Sequence, residues 1–398
     1  MPRFLPFRGL RYDSSRVHLD DVVAPPYDVI DDRRRAQLAA RSPYNVVHVD
    51  LPVGGDDRYR EAAATLRDWH AAGVLADDDA PAFYGYRMSF VDDAGVARST
   101  VGVFGALELT RPGEGEILPH EHTTPKAKSD RLDLLRATEA NLSAIWGLCP
   151  TPGLTELLAA DGDESAGSWT ASDGVRHELW RITSADRVAA IEAAVAARPL
   201  VVADGHHRYE TSVTYRDERR AQANGAPGPY DAAMTFVVAL DERVLLVRPI
   251  HRLLTGLPDG FDLEAALEKS FEIHDAGEVD ETITRRMRDA GALCLVLADR
   301  ACLLVPRPEA MAGVRDLDTS RLDRALESLP AHELAFQHGV DNVVERVRSG
   351  AAQAGVLLRP VPVAQIAAVA EGGERMPPKS TYFHPKPSTG GVFRPLTD

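Results

Sequence analysis

Cysteine is scarce in this sequence, and the scarcity argues against two kinds of site. Cys149, Cys294 and Cys302 are the three cysteines among 398 residues, and no two of them have the CxxC spacing. Thiolate zinc sites and disulfide frameworks both need more cysteines or closer spacing. We therefore expect three small, buried, apolar side chains in a reducing compartment.

The sequence also lacks a long apolar run, and its first residues do not have the pattern of a secretory signal. No stretch approaches the roughly 18 consecutive apolar residues that a membrane helix needs. Residues 1–15 contain two prolines and a polar run where a secretory signal would have its apolar core. We therefore expect a cytoplasmic protein with no membrane partner.

Basic residues are fewer than acidic residues, 45 against 60, so the formal net charge is −15. A surface of this sign repels the phosphate backbone of nucleic acids, and we expect no nucleic-acid partner. The hydrophobic fraction of 44% and the charged fraction of 26% are typical of globular proteins. Because 398 residues exceed one ordinary core, we expect two or three subdomains.

Hydrophobic periodicity predicts an α/β fold with mixed sheets. Residues 1–52 have the pattern of short strands and turns, and Ala62 to Ala76 have that of an amphipathic helix. The alternating runs 82–92 and 97–109 are joined by an Asp-Ala-Gly turn, which predicts an antiparallel pair. In the last third, helices are predicted at 263–272, 281–290 and 318–328, and strands at 293–298, 301–305 and 355–359.

The strongest local signal is the segment VVADGHHRYET. A buried strand ends at Asp204 and Gly205, and a helix follows at once with His206, His207 and Arg208 in its first turn. The backbone N–H groups and the positive dipole end of such a helix favour an anion. Arginine presents a planar fork to phosphate or carboxylate. We therefore predict that Asp204, Gly205, His206 and Arg208 bind a phosphorylated cofactor, with His207 as a catalytic candidate.

Other roles are open for these residues. Asp204 could cap the helix, or could hold a metal cation beside a bound phosphate. His206 and His207 face different directions on a helix, so we expect at least one of them to meet a ligand. A zinc site is disfavoured, because the HExxH pattern is lacking and adjacent histidines seldom chelate one ion.

A second constellation lies in the segment LPHEHTT and the residues after it. Glu121 stands between His120 and His122, and Lys126 and Arg131 follow. A carboxylate flanked by histidines and followed by basic residues suits a general base that faces an anionic substrate. We predict Glu121 as the base, His120 as a further catalytic residue, and Lys126 and Arg131 as phosphate contacts. The alternative is a solvated loop with Glu121 exposed.

Three weaker patterns are noted. Residues 24–30, APPYDVI, predict a rigid turn before Ile30, and residues 249–252 place a basic pair after a buried strand. Each is more often structural. Residues 376–386, MPPKSTYFHPK, carry two lysines held between prolines and could cover a substrate.

These segments together carry a resemblance to a known family. PFRGLRY, APPYDVI, SPYN, PHEHT, DRLDLLRAT, ADGHHRYET and MPPKSTYFHPK resemble the prokaryotic domain-of-unknown-function family 1015 along nearly the whole chain. Residues 117–220 also resemble, more distantly, the free-serine kinases built on the ParB/sulfiredoxin-like fold. That likeness implies a central ParB/sulfiredoxin-like region at 113–222, with α/β regions at 1–112 and 223–398.

The kinase resemblance also implies roles. It makes Glu121 the base on a serine hydroxyl and makes residues 204–208 the phosphate holders, which agrees with the roles predicted above from residue chemistry. A long insertion between the two motifs departs from the smaller kinases, so ATP, ADP and pyrophosphate are all open as donors. Mg²⁺ would be bridged by the phosphates and one carboxylate, with Asp204 as the candidate ligand.

The function predicted is transfer of phosphate to a small hydroxylated metabolite, with free L-serine as the leading acceptor and O-phosphoserine as the product. Phosphoryl transfer needs mainly positioning and charge neutralisation, which a helix N-terminus with basic residues supplies. The alternative is a nucleotide-binding regulatory module of ParB-like type without kinase activity. A metal-dependent hydrolase that uses the histidines is a third possibility.

Overall fold

The computed structural model describes most of the chain, in two compact units. The residues that it describes are 1–92, 95–111, 114–119, 126–160, 162–241, 243, 245–372, 376–377 and 379–397. The first unit comprises residues 1–246, 367–374 and 385–398. The second comprises residues 247–366 and 375–384. Each unit is described by itself below.

Strands and helices alternate along the described chain. The strands are β1 (Phe4–Leu5), β2 (Leu10–Tyr12), β3 (Leu75–Asp77), β4 (Phe83–Val91), β5 (Ala97–Glu108), β6 (Ile117–Pro119), β7 (Ala140–Asn141), β8 (Ile145–Cys149), β9 (Glu164–Thr170), β10 (Arg176–Ile182), β11 (Leu200–Asp204), β12 (Ala232–Ala239), β13 (Leu246–Arg248), β14 (His251–Thr255), β15 (Phe271–Asp275), β16 (Leu293–Val296), β17 (Ala301–Pro306), β18 (Glu333–Gln337), β19 (Ala354–Leu357), β20 (Tyr382–His384) and β21 (Arg394–Pro395). The helices are α1 (Leu19–Val22), α2 (Asp32–Arg41), α3 (Val47–Asp50), α4 (Arg58–Ala71), α5 (Lys126–Thr138), α6 (Leu154–Leu157), α7 (Ala185–Ala196), α8 (His206–Gln222), α9 (Leu263–Leu267), α10 (Ile283–Ala290), α11 (Asp318–Leu326), α12 (Val340–Arg348) and α13 (Val363–Glu371).

The first unit is built on a mixed sheet. Its strand order is β6-β11-β8-β12-β5-β4-β10-β9, with β1 also paired to β5. Strand β11 is parallel to β6 and antiparallel to β8, whereas β8 is parallel to β12. Strands β4 and β5 pair antiparallel from Tyr84 opposite Phe104 to Val91 opposite Ala97. The predicted mixed α/β fold and the predicted antiparallel pair are therefore confirmed.

The core of the first unit lies between this sheet and its helices. Val103 on β5, Val202 on β11 and Val237 on β12 belong to one buried cluster, which Tyr209 and Val213 of α8 complete from the helix side. Strand β8 is buried along its whole length, as central strands of a covered sheet are. Burial of these apolar side chains fixes α8 against the sheet and so fixes the position of its first turn.

The C-terminal residues return to the first unit. Ala24 and Thr389 exchange two backbone hydrogen bonds of 3.1 and 2.8 Å, and Leu10 and Phe393 exchange two of 3.0 and 2.9 Å. The Phe393 side chain is fully buried. Residues 385–397 are therefore an integral part of the unit that begins at the N-terminus.

The second unit has an antiparallel sheet with helices on both faces. Its strand order is β15-β17-β16-β19-β14-β18. Adjacent residues on a strand point to opposite faces, so Leu254 joins the cluster that α9 and α11 cover, and Leu253 joins the one that α10 and α12 cover. Among the described residues, no helix combines the length and the apolar character required to cross a membrane.

Several elements differ from the sequence predictions. The region 1–52 is not only strands and turns, because α1, α2 and α3 lie in it. Asp31 caps α2 by accepting a hydrogen bond from Arg34 N–H, a start signal that a short polar helix needs. The Asn45 side chain accepts from Val47 N–H, which turns the chain into α3 where a strand was predicted.

Other differences concern boundaries and linkers. The helix predicted at Ala62–Ala76 runs from Arg58 to Ala71, and Gly73 follows with φ of +69°. The sequence ERVLLVRPIHRLL at 242–254 has the pattern of one strand, but the described chain has two strands here, β13 and β14, separated by Pro249 and Ile250. Residues 139–198, for which the sequence analysis gives no helix or strand, contain β7 to β10, α6 and α7.

The three predicted regions all contribute to the first sheet, as β5, β11 and β12 show. The division into regions at 1–112, 113–222 and 223–398 stays a prediction. The three cysteines are buried and unbridged, as expected.

Candidate functional site

The Asp-Gly turn of the first unit is a tight strand-to-helix junction. Strand β11 ends at Asp204, Gly205 takes a left-handed backbone with φ of +86°, and α8 begins at His206. Glycine lacks the Cβ that would clash in this conformation. The first helical hydrogen bond runs from Tyr209 N–H to the Gly205 carbonyl, at 2.8 Å. The backbone N–H groups of residues 206–208 therefore lie at the positive end of the helix, where an anion is favoured.

Asp204 pairs with two cationic side chains at this turn. Lys386 Nζ donates to Asp204 Oδ1 at 3.0 Å, and Arg208 Nη2 donates to Oδ2 at 2.5 Å. Burial alone would raise the pKa of Asp204, but the two cations outweigh it and hold the pKa below its ordinary value. The carboxylate is therefore ionised. It does not cap α8, whose N-cap is Gly205, so the capping alternative is wrong.

Lys386 links this turn to a second carboxylate. Its Nζ donates to Asp28 Oδ2 as well as to Asp204, and its side chain is only 8% exposed. Burial lowers the pKa of Lys386, but Asp204 and Asp28 outweigh it and raise the pKa above its ordinary value. The ammonium is therefore charged and held between two carboxylates.

The Tyr27 ring joins the two arginines of the site. The guanidinium of Arg131 lies over this ring at 4.3 Å from its centroid, and that of Arg208 lies at 5.8 Å. Contacts of this kind are favourable, because the face of an aromatic ring attracts a cation. The turn before Ile30 is thus a short 3₁₀ helix, Tyr27–Val29, and contributes both a ring and the Asp28 carboxylate.

Arg131 is anchored on α5. Its Nη1 donates to the Asp50 carbonyl at 2.8 Å and to Asp50 Oδ1 at 3.2 Å, and its Nη2 donates to Asp130 Oδ2 at 2.7 Å. Burial raises the pKa of Asp50, and the positive charges of Arg131 and Arg208 only partly oppose it. Arg131 therefore forms ion pairs with two carboxylates, those of Asp50 and Asp130. Its role as a phosphate contact stays a prediction.

A cavity is lined in part by the charged groups of the site. It has a volume of about 50 Å³ and is lined on the polar side by Asp50, Arg131, Arg208, Thr211 and Ser212. The side chains of Arg131 and Arg208 therefore line one cavity together with that of Asp50.

The predicted residues of the second constellation lie at the edge of the described chain. His120 and Glu121 lie outside the described residues, as does His122. Lys126 begins α5, and its side chain is not described. Pro119, the residue before His120, pairs with Val202 in the parallel β6–β11 ladder. The carboxyl ends of β6 and β11 therefore lie side by side.

Comparison with known proteins places the chain in a family. A family model described as a protein of unknown function (DUF1015) matches residues 4–323. The chain belongs to this family. No curated protein matches the sequence.

Solved structures show weaker likenesses. The chain is similar to a free serine kinase in complex with AMP, at 13% identity and a TM-score of 0.37, over 67% of this chain and 83% of that one. It is similar to a conserved hypothetical protein from Pyrococcus furiosus, at 13% identity and a TM-score of 0.36, over 67% and 87%. It is also similar to SbnI with a C-terminal truncation from Staphylococcus aureus, at 13% identity and a TM-score of 0.37, over 69% and 82%. These likenesses are too low to assign an activity.

The structure adds site residues that the sequence interpretation did not select. Tyr27, Asp28, Asp50 and Lys386 come from segments that were considered structural, strand-like or substrate-covering, yet they meet Arg208 and Asp204. Three of these four residues stand in the segments that carry the resemblance to DUF1015, APPYDVI and MPPKSTYFHPK. Their membership of those segments does not by itself place them at the Asp-Gly turn, because the contacts join parts of the chain that are far apart in sequence.

Proposed function

We propose that this member of DUF1015 is a phosphotransferase that binds a nucleotide or pyrophosphate and phosphorylates a small hydroxylated metabolite. Free L-serine is the leading acceptor, and O-phosphoserine is its product. The observation that carries the proposal is the start of α8, where the left-handed Gly205 begins the helix and Arg208 and Lys386 both bind the adjacent Asp204 carboxylate.

The phosphate-binding half of the proposal rests on charge and geometry. Residues 206–208 supply backbone N–H groups at the positive end of a helix, and Arg208 supplies a fork that suits two phosphate oxygens. The Arg208 side chain is 12% exposed, and its Nε finds no hydrogen-bond partner among the described residues. A buried donor without a partner costs free energy, which a phosphate oxygen would recover.

The catalytic half rests on the adjacency of two strand ends. Glu121 follows β6 by two residues, and the β6 end pairs with β11 just before Asp204. In the proposal, Glu121 accepts the proton of the acceptor hydroxyl, and that oxygen attacks the terminal phosphorus of the donor. The bond between this phosphorus and its bridging oxygen breaks, and ADP leaves from ATP, AMP from ADP, or phosphate from pyrophosphate. His120 and His207 are further catalytic candidates, and His206 is a phosphate contact.

Mg²⁺ is the cofactor expected with a phosphate donor, and it would neutralise charge on the phosphate oxygens. Its predicted protein ligand, Asp204, does not fit that role in this structure, because Lys386 and Arg208 occupy both carboxylate oxygens. Within the described ranges, no group of three or more His, Cys, Asp or Glu side chains is placed to hold a metal ion. No step of the proposed transfer therefore uses a metal ion bound by side chains of the described residues.

The test is a panel of donors and acceptors. Purified protein is incubated with amino acids and other small alcohols, each with ATP, ADP or pyrophosphate, and products are identified by mass spectrometry. We expect O-phosphoserine with one donor, and loss of the product in Glu121→Gln. Tight nucleotide binding without any phosphorylated product would favour the regulatory module instead.

A further inference from the structure

The ammonium of Lys386 occupies the space between Asp28 and Asp204. It donates to Asp204 Oδ1 at 3.0 Å and to Asp28 Oδ2, while Arg208 binds the other oxygen of Asp204. Lys386 is 8% exposed, and the two aspartates are 31% and 25% exposed. Lys386 is thus less exposed than either aspartate. The two carboxylates bind the ammonium in place of bulk water.

The backbone around Lys386 is tied to the same unit. Ala24 and Thr389 exchange two backbone hydrogen bonds, which join the segment before Asp28 to the segment after Lys386. Ser388 N–H donates to the Tyr86 hydroxyl at 3.1 Å. These hydrogen bonds fix the backbone two and three residues after Lys386 within the first unit, and the contacts with Asp28 and Asp204 hold the ammonium itself.

A divalent cation bound to Asp204 and the Lys386 ammonium cannot both occupy this site without strong electrostatic repulsion. Mg²⁺ binds oxygen at about 2.0–2.1 Å, so an ion on Asp204 Oδ1 would lie at most about 5 Å from Lys386 Nζ. At that separation a doubly charged ion and an ammonium repel strongly in a partly buried site. Lys386 and a metal on Asp204 therefore exclude each other.

We propose that Lys386 is the resident cation of the anion site, and that it takes the place of a carboxylate-bound divalent metal between Asp28 and Asp204. The four groups Asp28, Asp204, Arg208 and Lys386 sum to zero charge. Without Lys386 the sum is −1, which repels a phosphate and attracts a metal ion. Lys386 is a positioning residue in this role, because its charge reduces the repulsion between the two carboxylates and the bound anion. The anion part of the inference rests on the proposed function.

The first experiment uses metal alone. Binding of Mn²⁺ to wild type and to Lys386→Met is measured by electron paramagnetic resonance. We expect Lys386→Met to bind one more Mn²⁺ per chain than wild type, and Asp28→Asn in the Lys386→Met background to remove that extra ion. The proposal is overturned if wild type binds a Mn²⁺ that Asp28→Asn or Asp204→Asn removes, or if Lys386→Met gains none.

The second experiment uses ADP as the probe. Its affinity is measured by calorimetry with EDTA and with excess Mg²⁺. Wild type should change by less than about threefold between the two buffers. Lys386→Met should bind at least tenfold more weakly in EDTA and recover most of that loss with Mg²⁺. Equal affinity of the variant and wild type in EDTA would contradict the role of Lys386.

Two further comparisons distinguish an unfolded Lys386→Met variant and a failure of the proposed function from a failure of this inference. Lys386→Arg keeps the cation, so it should gain no Mn²⁺ site and should bind ADP within about threefold of wild type in EDTA. If Lys386→Met does not fold, Mn²⁺ binding by wild type and its two Asn variants still decides the proposal. If wild type binds ADP in neither buffer, the proposed function fails, and the Mn²⁺ comparison still tests Lys386.

Discussion

Lys386 and Asp204 are 182 positions apart in the chain, and their charged atoms lie 3.0 Å apart. The contact joins the C-terminal segment to the Asp-Gly turn before α8. The Asp204 carboxylate also accepts a hydrogen bond from Arg208, which lies in the first turn of the helix. Removing the carboxylate would leave two adjacent cations, one of them almost fully buried.

Asp204→Asn should therefore lower the free energy of unfolding by about 2–3 kcal/mol, which is somewhat less than for a fully buried pair. Chemical denaturation measures the change. Asp133→Asn is the matched control, because Asp133 is 44% exposed and its pair with Arg136 should contribute less than about 1 kcal/mol.

The pH dependence of the same variant has a defined sign. The pKa of Asp204 is lower in the folded state than its ordinary value of 3.8, so its contribution is present above that value and is lost only as the pH falls through the folded pKa. The difference between wild type and Asp204→Asn should thus be the same at pH 7 and pH 5. A difference that disappears by pH 5 would mean that the carboxylate is protonated there.

Arg208→Lys should weaken ADP binding about tenfold, because the charge stays while the planar fork is lost. Calorimetry measures the affinity. Arg219→Lys is the control, since Arg219 lies at the other end of α8 and pairs with Glu139 at 3.0 Å. Unchanged affinity in Arg208→Lys would assign Arg208 to the ion pair with Asp204 and not to a ligand.

Gly205→Ala should disturb both the fold and the site. A side chain at φ of +86° costs about 1–2 kcal/mol, and the added Cβ would lie 2.8 Å from Arg208 Nε. Gly153→Ala is a matched control, because Gly153 has φ of +88° before α6 and no atom within 4 Å of the added Cβ. Both variants should lose stability by denaturation, but only Gly205→Ala should also lose ADP affinity. Equal ADP affinity in the two variants would show that the Arg208 position does not matter for binding.

The strand, the turn and the start of α8 could be predicted from the sequence, because an apolar run followed by Asp-Gly and a polar amphipathic stretch leaves few alternatives. The helix α2 was missed because Leu38 is its single buried residue, so its apolar periodicity is weak. Lys386 and Asp28 could not be assigned to the site from the sequence. Their contact depends on how residues 385–397 return to the first unit, and no local pattern encodes that return.

His177 should make stability sensitive to pH in the mildly acidic range. Burial lowers the pKa of His177 from 6.5 to about 4, and its Nδ1 lies 2.7 Å from the Tyr86 hydroxyl oxygen, within hydrogen-bond distance. Its contribution is complete above pH 6.5 and is lost as the pH falls towards 4, by about 3 kcal/mol in all.

Denaturation at pH 7 and pH 4.5 tests this effect. His177→Gln should lose less stability between the two pH values than wild type, although it starts from a lower value. The exposed His274→Gln is the control and should follow wild type. In His177→Gln, the free energy of unfolding still changes with pH because other groups titrate. One of them is His251 of the second unit, since burial lowers its pKa to about 4. A slope unchanged in His177→Gln would mean that His177 is protonated in the folded protein.

Glu121→Gln should separate binding from chemistry. The amide keeps the shape of the side chain but not its basicity, and general-base assistance contributes about 10²–10⁴ to the rate. We expect turnover of the phosphotransfer reaction to fall at least a hundredfold, with affinity for both substrates nearly unchanged, as measured by steady-state kinetics and calorimetry. If the variant lost affinity and kept its turnover at saturation, Glu121 would contact substrate or cation and another group would take the proton. The strand ends of β6 and β11 would still form one edge, and His120 and His207 would then be the groups to replace next.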